Sequence, residues 1–264
     1  MTKIKEIIRP LVPPSALELK KSLWLRKEKF KSEFPLLSWA LKPEKDVTFA
    51  AKKALVHRML LIHESVKCAH THKEMHTIVQ AILNLPRDVD GVIVEAGCFK
   101  GGSTCKISIV ASMVGRKMFA FDSFQGIPDN TEKHGNDIFG RHSDFPPGSY
   151  EGPLAEVSQN LRLFGEPNSC ELVPGWFEDT MTHFKQPVAA AFIDVDLASS
   201  TRTCLRYLYP LLVPGGVIFS HDGHLPLCVE VFADPKSWAD TNPAPVIEGL
   251  GSRKLICIRK PSTI

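Results

Sequence analysis

Between residues 47 and 66, apolar side chains recur at helical spacing: Phe49, Leu55, Val56, Met59, Leu60, Ile62 and Val66. That periodicity predicts a helix with one face to bury. A second such stretch covers 70–85 and stops before Pro86, which marks a helix end. Ahead of both, Pro10, Pro13, Pro14, Pro35 and Pro43 interrupt any long element, so residues 1–46 read as short helices on a mobile leader.

From Gly91 the pattern changes. Residues 92–94 are apolar and β-branched, 103–114 are helical, and 117–121 are strand-like again. A strand, helix, strand succession is the building block of a parallel sheet. Further strands are predicted over 170–173, 189–193, 217–220 and 254–259, with a helix over 201–212. The order is that of a doubly wound α/β fold. Between 127 and 153 lies a stretch rich in Gly, Pro, Asp and His, too long for a simple connector and therefore read as a lid or substrate loop.

Bulk properties narrow the picture. A chain of 264 residues with 44% apolar and 23% charged residues fits one globular domain with a helical extension. Its 32 basic and 29 acidic residues leave a net charge of +3, which gives no reason to expect nucleic acid. The basic residues gathered before Arg58 read as a solvated helical face. Seven cysteines are scattered without a Cys-x-x-Cys pair, arguing against a disulfide framework and for a reducing, cytoplasmic setting. No signal-like apolar region opens the chain and no run approaches 18 apolar residues, so neither export nor membrane insertion is expected.

Candidate chemistry gathers where strands end. Glu95-Ala96-Gly97-Cys98-Phe99-Lys100-Gly101-Gly102-Ser103-Thr104 stands between a strand and a helix, where glycines admit a ligand to the backbone and the helix start offers free N–H groups. The pattern is not the Gly-x-Gly-x-x-Gly of dinucleotide binders, and the charge of Glu95 suits the cationic methionine part of S-adenosylmethionine better than a pyrophosphate. Asp122, 25 residues beyond Gly97, stands close to the offset at which an acid meets ribose hydroxyls; a turn or helix-capping aspartate is the alternative. Asp194 and Asp196 follow one apolar strand, and His221 and Asp222 another. Oxygen ligands of this kind suit Mg2+ or another hard cation, which would orient a substrate hydroxyl while a nearby aspartate or histidine removes its proton; strand-end caps without metal are the alternative. His70, His72 and His76 invite a zinc reading, but the helical pattern favours a polar face.

Taken together these segments resemble the macrocin O-methyltransferase (TylF) family, bacterial enzymes that methylate sugar hydroxyls of natural products. The resemblance spans about 92–232. It rests on Glu95-Ala96-Gly97 with Lys100-Gly101-Gly102-Ser103, Asp122-Ser123-Phe124-Gln125-Gly126-Ile127-Pro128, Val173-Pro174-Gly175-Trp176-Phe177-Glu178-Asp179-Thr180, Asp194-Val195-Asp196-Leu197-Ala198-Ser199-Ser200-Thr201 and Leu208 to Gly216.

The resemblance implies a class I methyltransferase: a Rossmann-like doubly wound seven-stranded sheet, its last strand antiparallel, with an N-terminal helical extension. Residues 1–86 would be the leader and lid, and 87–264 the catalytic domain. S-adenosylmethionine would lie on Glu95, Gly97, Ser103, Asp122, Ser123 and Asp194, with Gly175, Trp176 and Phe177 beside the adenine. Asp194 and His221 would act in catalysis, and Asp194, Asp222 and His221 would hold Mg2+ or another divalent cation. The acceptor would be a small hydroxylated molecule, and the leader offers a homodimer contact.

Two departures change the expectation. Ala198 stands where the family usually has tyrosine, and His221 replaces the first of two adjacent aspartates, which weakens a hard-cation site or shifts it toward a metal that accepts imidazole. Rival readings are a repurposed, metal-assisted hydroxylase-like enzyme on the same fold, a non-catalytic Rossmann-like binding protein and, disfavoured by the glycine pattern, an NAD-dependent oxidoreductase.

Overall fold

The computed structural model of the protein describes residues 14–42, 47–86, 89–238 and 245–261. At its centre stands a seven-stranded sheet: β1 (Val92–Ala96), β2 (Met118–Asp122), β5 (Cys170–Pro174), β6 (Val188–Ile193), β7 (Leu212–Ser220), β8 (Val246–Glu248) and β9 (Ile256–Arg259). The spatial order is β5-β2-β1-β6-β7-β9-β8. Strands β5 to β7 in that order are parallel, β9 runs antiparallel to β7, and β8 antiparallel to β9. The last strand therefore has the expected direction. β8 was not anticipated, because a three-residue edge strand carries too little alternation to register.

Side chains alternate across a strand, and the register turns that alternation into two cores. Met118, Ile93, Ala190 and Val217 are successive cross-strand partners and face one apolar cluster. Val94, Ala191 and Ile218, each one residue on, face the other. The first face is covered by α2 (Phe49–Ser65), α3 (His72–Leu83), α4 (Gly102–Met113) and α5 (Leu154–Phe164), through Met59, Ile78, Val110 and Leu161. The second is covered by α7 (Ala198–Leu211) and α8 (Pro226–Ala233), through Leu205, Leu208 and Val231. A single turn of helix, α6 (Phe177–Thr180), follows β5.

The leader departs from expectation. In place of short helices, a single helix α1 spans Pro14–Ala40. Pro14 opens it, where a missing N–H has no helical partner to lose. Pro35 lies inside and removes one internal bond, yet Leu36 and Trp39 right after it are buried against the α2 and α3 layer. Tertiary burial outweighs the proline penalty here. Those side chains join the same cluster as the sheet residues, so the boundary expected at 86/87 cuts through continuous core. The rest of the leader reading, over 1–13 and 43–46, lies outside the described residues. Among those described, no helix is long and apolar enough to cross a membrane, and all seven cysteines are free.

Candidate active site

Parallel strands end on one edge, so β1, β2, β5, β6 and β7 deliver Gly97, Asp122, Gly175, Asp194 and His221 to a common rim. β1 is flanked by β2 on one side and β6 on the other, and at that switch in winding direction the crevice of an open α/β sheet forms. It holds a cavity of about 770 Å³, lined among others by Gly97, Ser103, Asp122, Ser123, Trp176, Phe177, Asp194 and His221. Eight of the sequence-predicted residues thus share one cavity.

The glycine turn is locked to its neighbours. Gly97 has φ of +88°, a conformation that glycine alone adopts freely. The Cys98 N–H donates to Asp122 Oδ2 at 2.6 Å and the Phe124 N–H to Asp122 Oδ1 at 2.7 Å. Asp122 therefore ties two turns together while lining the cavity, so its turn-capping reading and its ligand reading are compatible: each oxygen keeps a lone pair. Burial raises its pKa, against those backbone donors. The Ser123 hydroxyl donates to the Gly126 carbonyl at 3.2 Å, and Ser103 lines the cavity at the start of α4, where a helix leaves N–H groups without helical partners.

Three predicted residues lie elsewhere. Glu95, expected to meet the cofactor, does not line the cavity. Its carboxyl is fully buried beneath the turn, and the nearby Ser103 and Thr104 hydroxyls stay out of hydrogen-bond geometry with it. Burial pushes its pKa up to about 7. The reason for the displacement is strand alternation: position 95 is the fourth of five in a buried central strand. Gly175 also lies outside the lining, its N–H donating to the Asp122 carbonyl at 2.9 Å. Asp222 is shut away from the cavity too, with Oδ2 accepting the Val195 N–H at 3.1 Å.

At the other end, Asp194 stands between two imidazoles. His70 Nε2 lies 2.8 Å from Asp194 Oδ2, and His221 Nδ1 lies 3.3 Å from Asp194 Oδ1. Burial would raise the Asp194 pKa, but the charges and hydrogen bonds of His221 and His70 outweigh it and hold the carboxyl well below its usual range. In return, and against their own burial, His70 is pushed up to about 10 and His221 to about 9. Burial with the charges of Asp194 and Asp222 pushes Asp196 well above its usual value, while burial and Asp194 bring Asp222 to about 7. The metal-ligating trio expected from the sequence is divided. Among the described residues, His70, Asp194 and His221 form one grouping of convergent donors, and Asp194, Asp196 and Asp222 another.

His70 was missed as a partner of Asp194. The sequence shows only that it precedes a Thr71-x-x-Glu74 capping box, which the structure contains. That cap starts α3 and so fixes where His70 points. His72 instead stacks near His63 at 4.1 Å and His76 near Trp39 at 5.0 Å, so His70, His72 and His76 do not converge on a zinc ion. The 127–153 stretch forms a flap over the cavity, with a two-stranded ribbon of β3 (Gly135–Asn136) and β4 (His142–Ser143). It is pinned by Glu132, whose carboxylate accepts the Ala198 and Ser199 N–H groups, both at 2.8 Å, at the start of α7.

Comparison with known proteins gives consistent matches. The chain is 30% identical over 170 residues to the tetracenomycin-type 8-demethyl-8-(2,3-dimethoxy-alpha-L-rhamnosyl)-tetracenomycin-C 4'-O-methyltransferase of Streptomyces olivaceus, a match covering 62% of this chain and 65% of the relative. It is 30% identical over 178 residues to the mycinamicin III 3''-O-methyltransferase of Micromonospora griseorubida, covering 61% and 68%. The chain thus spans about two thirds of the length of these relatives. Among solved structures, the O-methyltransferase NovP superposes with a TM-score of 0.60 at 25% identity, covering 72% of this chain and 80% of that one. The calicheamicin methyltransferase CalS11 shares the fold at a TM-score of 0.52 and 16% identity, covering 88% and 92%. The family model described as Macrocin-O-methyltransferase (TylF) matches residues 65–247, more than half of the chain, and the chain belongs to that family.

Proposed function

We propose that the protein transfers a methyl group from S-adenosylmethionine to a hydroxyl of a small sugar-bearing natural product. The observation that carries this reading is the shared cavity, with the glycine turn, Asp122 and Trp176 at one end and Asp194, Asp196 and His221 at the other. Asp122 would take the ribose hydroxyls through its free lone pairs. Trp176 and Phe177 would flank the adenine, and Gly97 and Ser103 would line the methionine part. The similar proteins, an O-methyltransferase of a rhamnosyl tetracenomycin and a mycinamicin III 3''-O-methyltransferase, supply the acceptor class.

Transfer needs the sulfonium methyl in line with the acceptor oxygen and a group to take the hydroxyl proton. Asp194, held as a carboxylate by His70 and His221, is a weak base suited to orienting that hydroxyl. Asp196 lines the same cavity with a carboxyl of raised proton affinity and would take the proton. The flap and residues 67–70 would exclude water.

Mg2+ does not fit the donors that face the cavity. Of the four clustered groups that line it, His70 and His221 are imidazoles that contact both Asp194 oxygens, and Asp222, the third member of the all-oxygen grouping, does not line the cavity, whereas Mg2+ takes oxygen ligands in octahedral array. No step above uses it. The reading is tested by calorimetry with S-adenosylhomocysteine on the wild type and Asp122→Ala, followed by mass spectrometry for one added methyl on a rhamnosylated or macrolide acceptor. Binding that Asp122→Ala weakens, with methylation of a glycoside, is the expected result. Uptake of a pyridine dinucleotide instead, with no affinity for the nucleoside, would sink it.

A further inference from the structure

A second cavity, of about 550 Å³, adjoins the first. It runs beside α3 along β7 and β9, from Thr71 and Lys254 at the carboxyl edge of β7 to Asn84 and Arg259 at the other edge. Lys254 lines both cavities. His221 of the first lies 3.4 Å from Glu74 of the second, Nε2 to Oε1. The two spaces therefore meet at the rim where Asp194 stands.

The chemistry of this cavity changes along its length. Lys73, Thr77, Gln80 and Asn84 follow one another at i, i+4, i+7 and i+11, on one face of α3 and its C-cap, and all four line it. At a rise of 1.5 Å per residue they cover about 16 Å. Lys73 stands at the end shared with Lys254 and Arg253, and the amides of Gln80 and Asn84 stand toward the far end. Between them the floor is apolar, built from buried Val217, Phe219 and Cys257. The acids here are already engaged. Glu74 Oε2 accepts the Thr71 N–H at 2.7 Å while Oε1 faces His221, and Glu248 lies 3.8 Å from Arg259. The side chains of Lys73, Arg253, Lys254, Gln80 and Asn84, by contrast, make no hydrogen bond or ion pair among the described residues.

Unpaired cations next to the rim, then an apolar floor, then amides, match a ligand with negative charge close to its sugar and a planar ring beyond. We propose that this cavity holds the part of the acceptor beyond the methylated sugar: an anionic group against Lys73, Arg253 and Lys254, followed by a ring over the apolar floor with its polar edge at Gln80 and Asn84. Two sources carry that chemistry, a sugar still attached to a nucleoside diphosphate and a glycoside with an acidic aromatic aglycone. The proposal rests on the methyl-transfer reading for the sugar end alone.

The experiment is calorimetry on the full-length protein saturated with S-adenosylhomocysteine, using thymidine diphosphate for the first source and a coumarin carboxylate for the second. One of the two probes should bind at one per chain, more weakly as salt rises, without displacing S-adenosylhomocysteine. Lys73→Glu, outside the first cavity, should weaken that probe about tenfold or more, and Gln80→Ala about threefold to tenfold. Both variants should keep the wild-type affinity for S-adenosylhomocysteine, which also establishes that they are folded. Binding of the nucleotide identifies the first source, and binding of the coumarin the second. A wild type that takes S-adenosylhomocysteine but neither probe, a probe that competes with S-adenosylhomocysteine, or unchanged affinity in Lys73→Glu would each overturn the subsite and leave methyl transfer standing. Absence of S-adenosylhomocysteine binding would count against methyl transfer, and titration of the probes alone still decides the subsite.

Discussion

A methyl group added to Gly97 would lie 1.9 Å from the backbone carbonyl oxygen of Asp194. The end of β1 and the start of the loop after β6 are therefore packed backbone to backbone, and no side-chain movement can relieve the overlap. Gly97→Ala also places a side chain at φ of +88°, a conformation costing about 1–3 kcal/mol. The variant should be destabilised by at least that amount in urea melts, with Asp194 pushed off its imidazole partners. A melt within about 0.5 kcal/mol of wild type, the usual scatter of innocuous changes, would show that the strands can part here.

Cys68 should be the one readily alkylated thiol among the described cysteines. It lines the cavity, and although burial opposes ionisation, His63, His70 and Lys106 hold its pKa at about 4. The other six are buried with raised values. Iodoacetamide labelling followed by peptide mapping should place the label at Cys68, at a rate nearly flat between pH 6 and 9. An ordinary thiol would instead speed up roughly tenfold per pH unit below its pKa. A rate climbing in that way would refute the thiolate.

Glu95 gives a signed pH dependence. The folded chain keeps its proton up to about pH 7, whereas the ordinary value is 4.5. Between those limits the folded form binds the extra proton, so the stability contributed at this position falls as pH rises from 4.5 to 7. Glu95→Gln removes that loss. Relative to wild type the variant should gain stability between pH 5 and pH 8, by up to about 3 kcal/mol. Equal differences at the two pH values would mean that the carboxyl is ionised throughout.

Leu36 tests whether α1 is integral. It is 0% exposed, in the cluster that also holds Met59, Ile78 and Ile93. Leu36→Ala should cost about 2–5 kcal/mol in a single cooperative transition. A loss below about 0.5 kcal/mol, as for a surface change, would show that α1 is not part of the cooperative core.

The sequence by itself determined what depends on neighbours along the chain. The short apolar runs around Val94 and Ile193, the 3.6-residue period at Met59 and Ile62, and the glycines before Ser103 predict strands, helices and a ligand-admitting turn. Since parallel strands share an edge, they also predict that Gly97, Asp122, Asp194 and His221 meet at one rim. Tertiary structure decided the rest. Whether Pro35 ends a helix depended on how much Leu36 and Trp39 bury against α2 and α3. Whether Glu95 meets a ligand or a core depended on which way the pleat turned at position 95. His70 reaches Asp194 across 124 positions, a pairing set by the docking of α3 on the sheet; no local pattern encodes it, because the free energy that creates it is the burial of apolar surface elsewhere in the molecule.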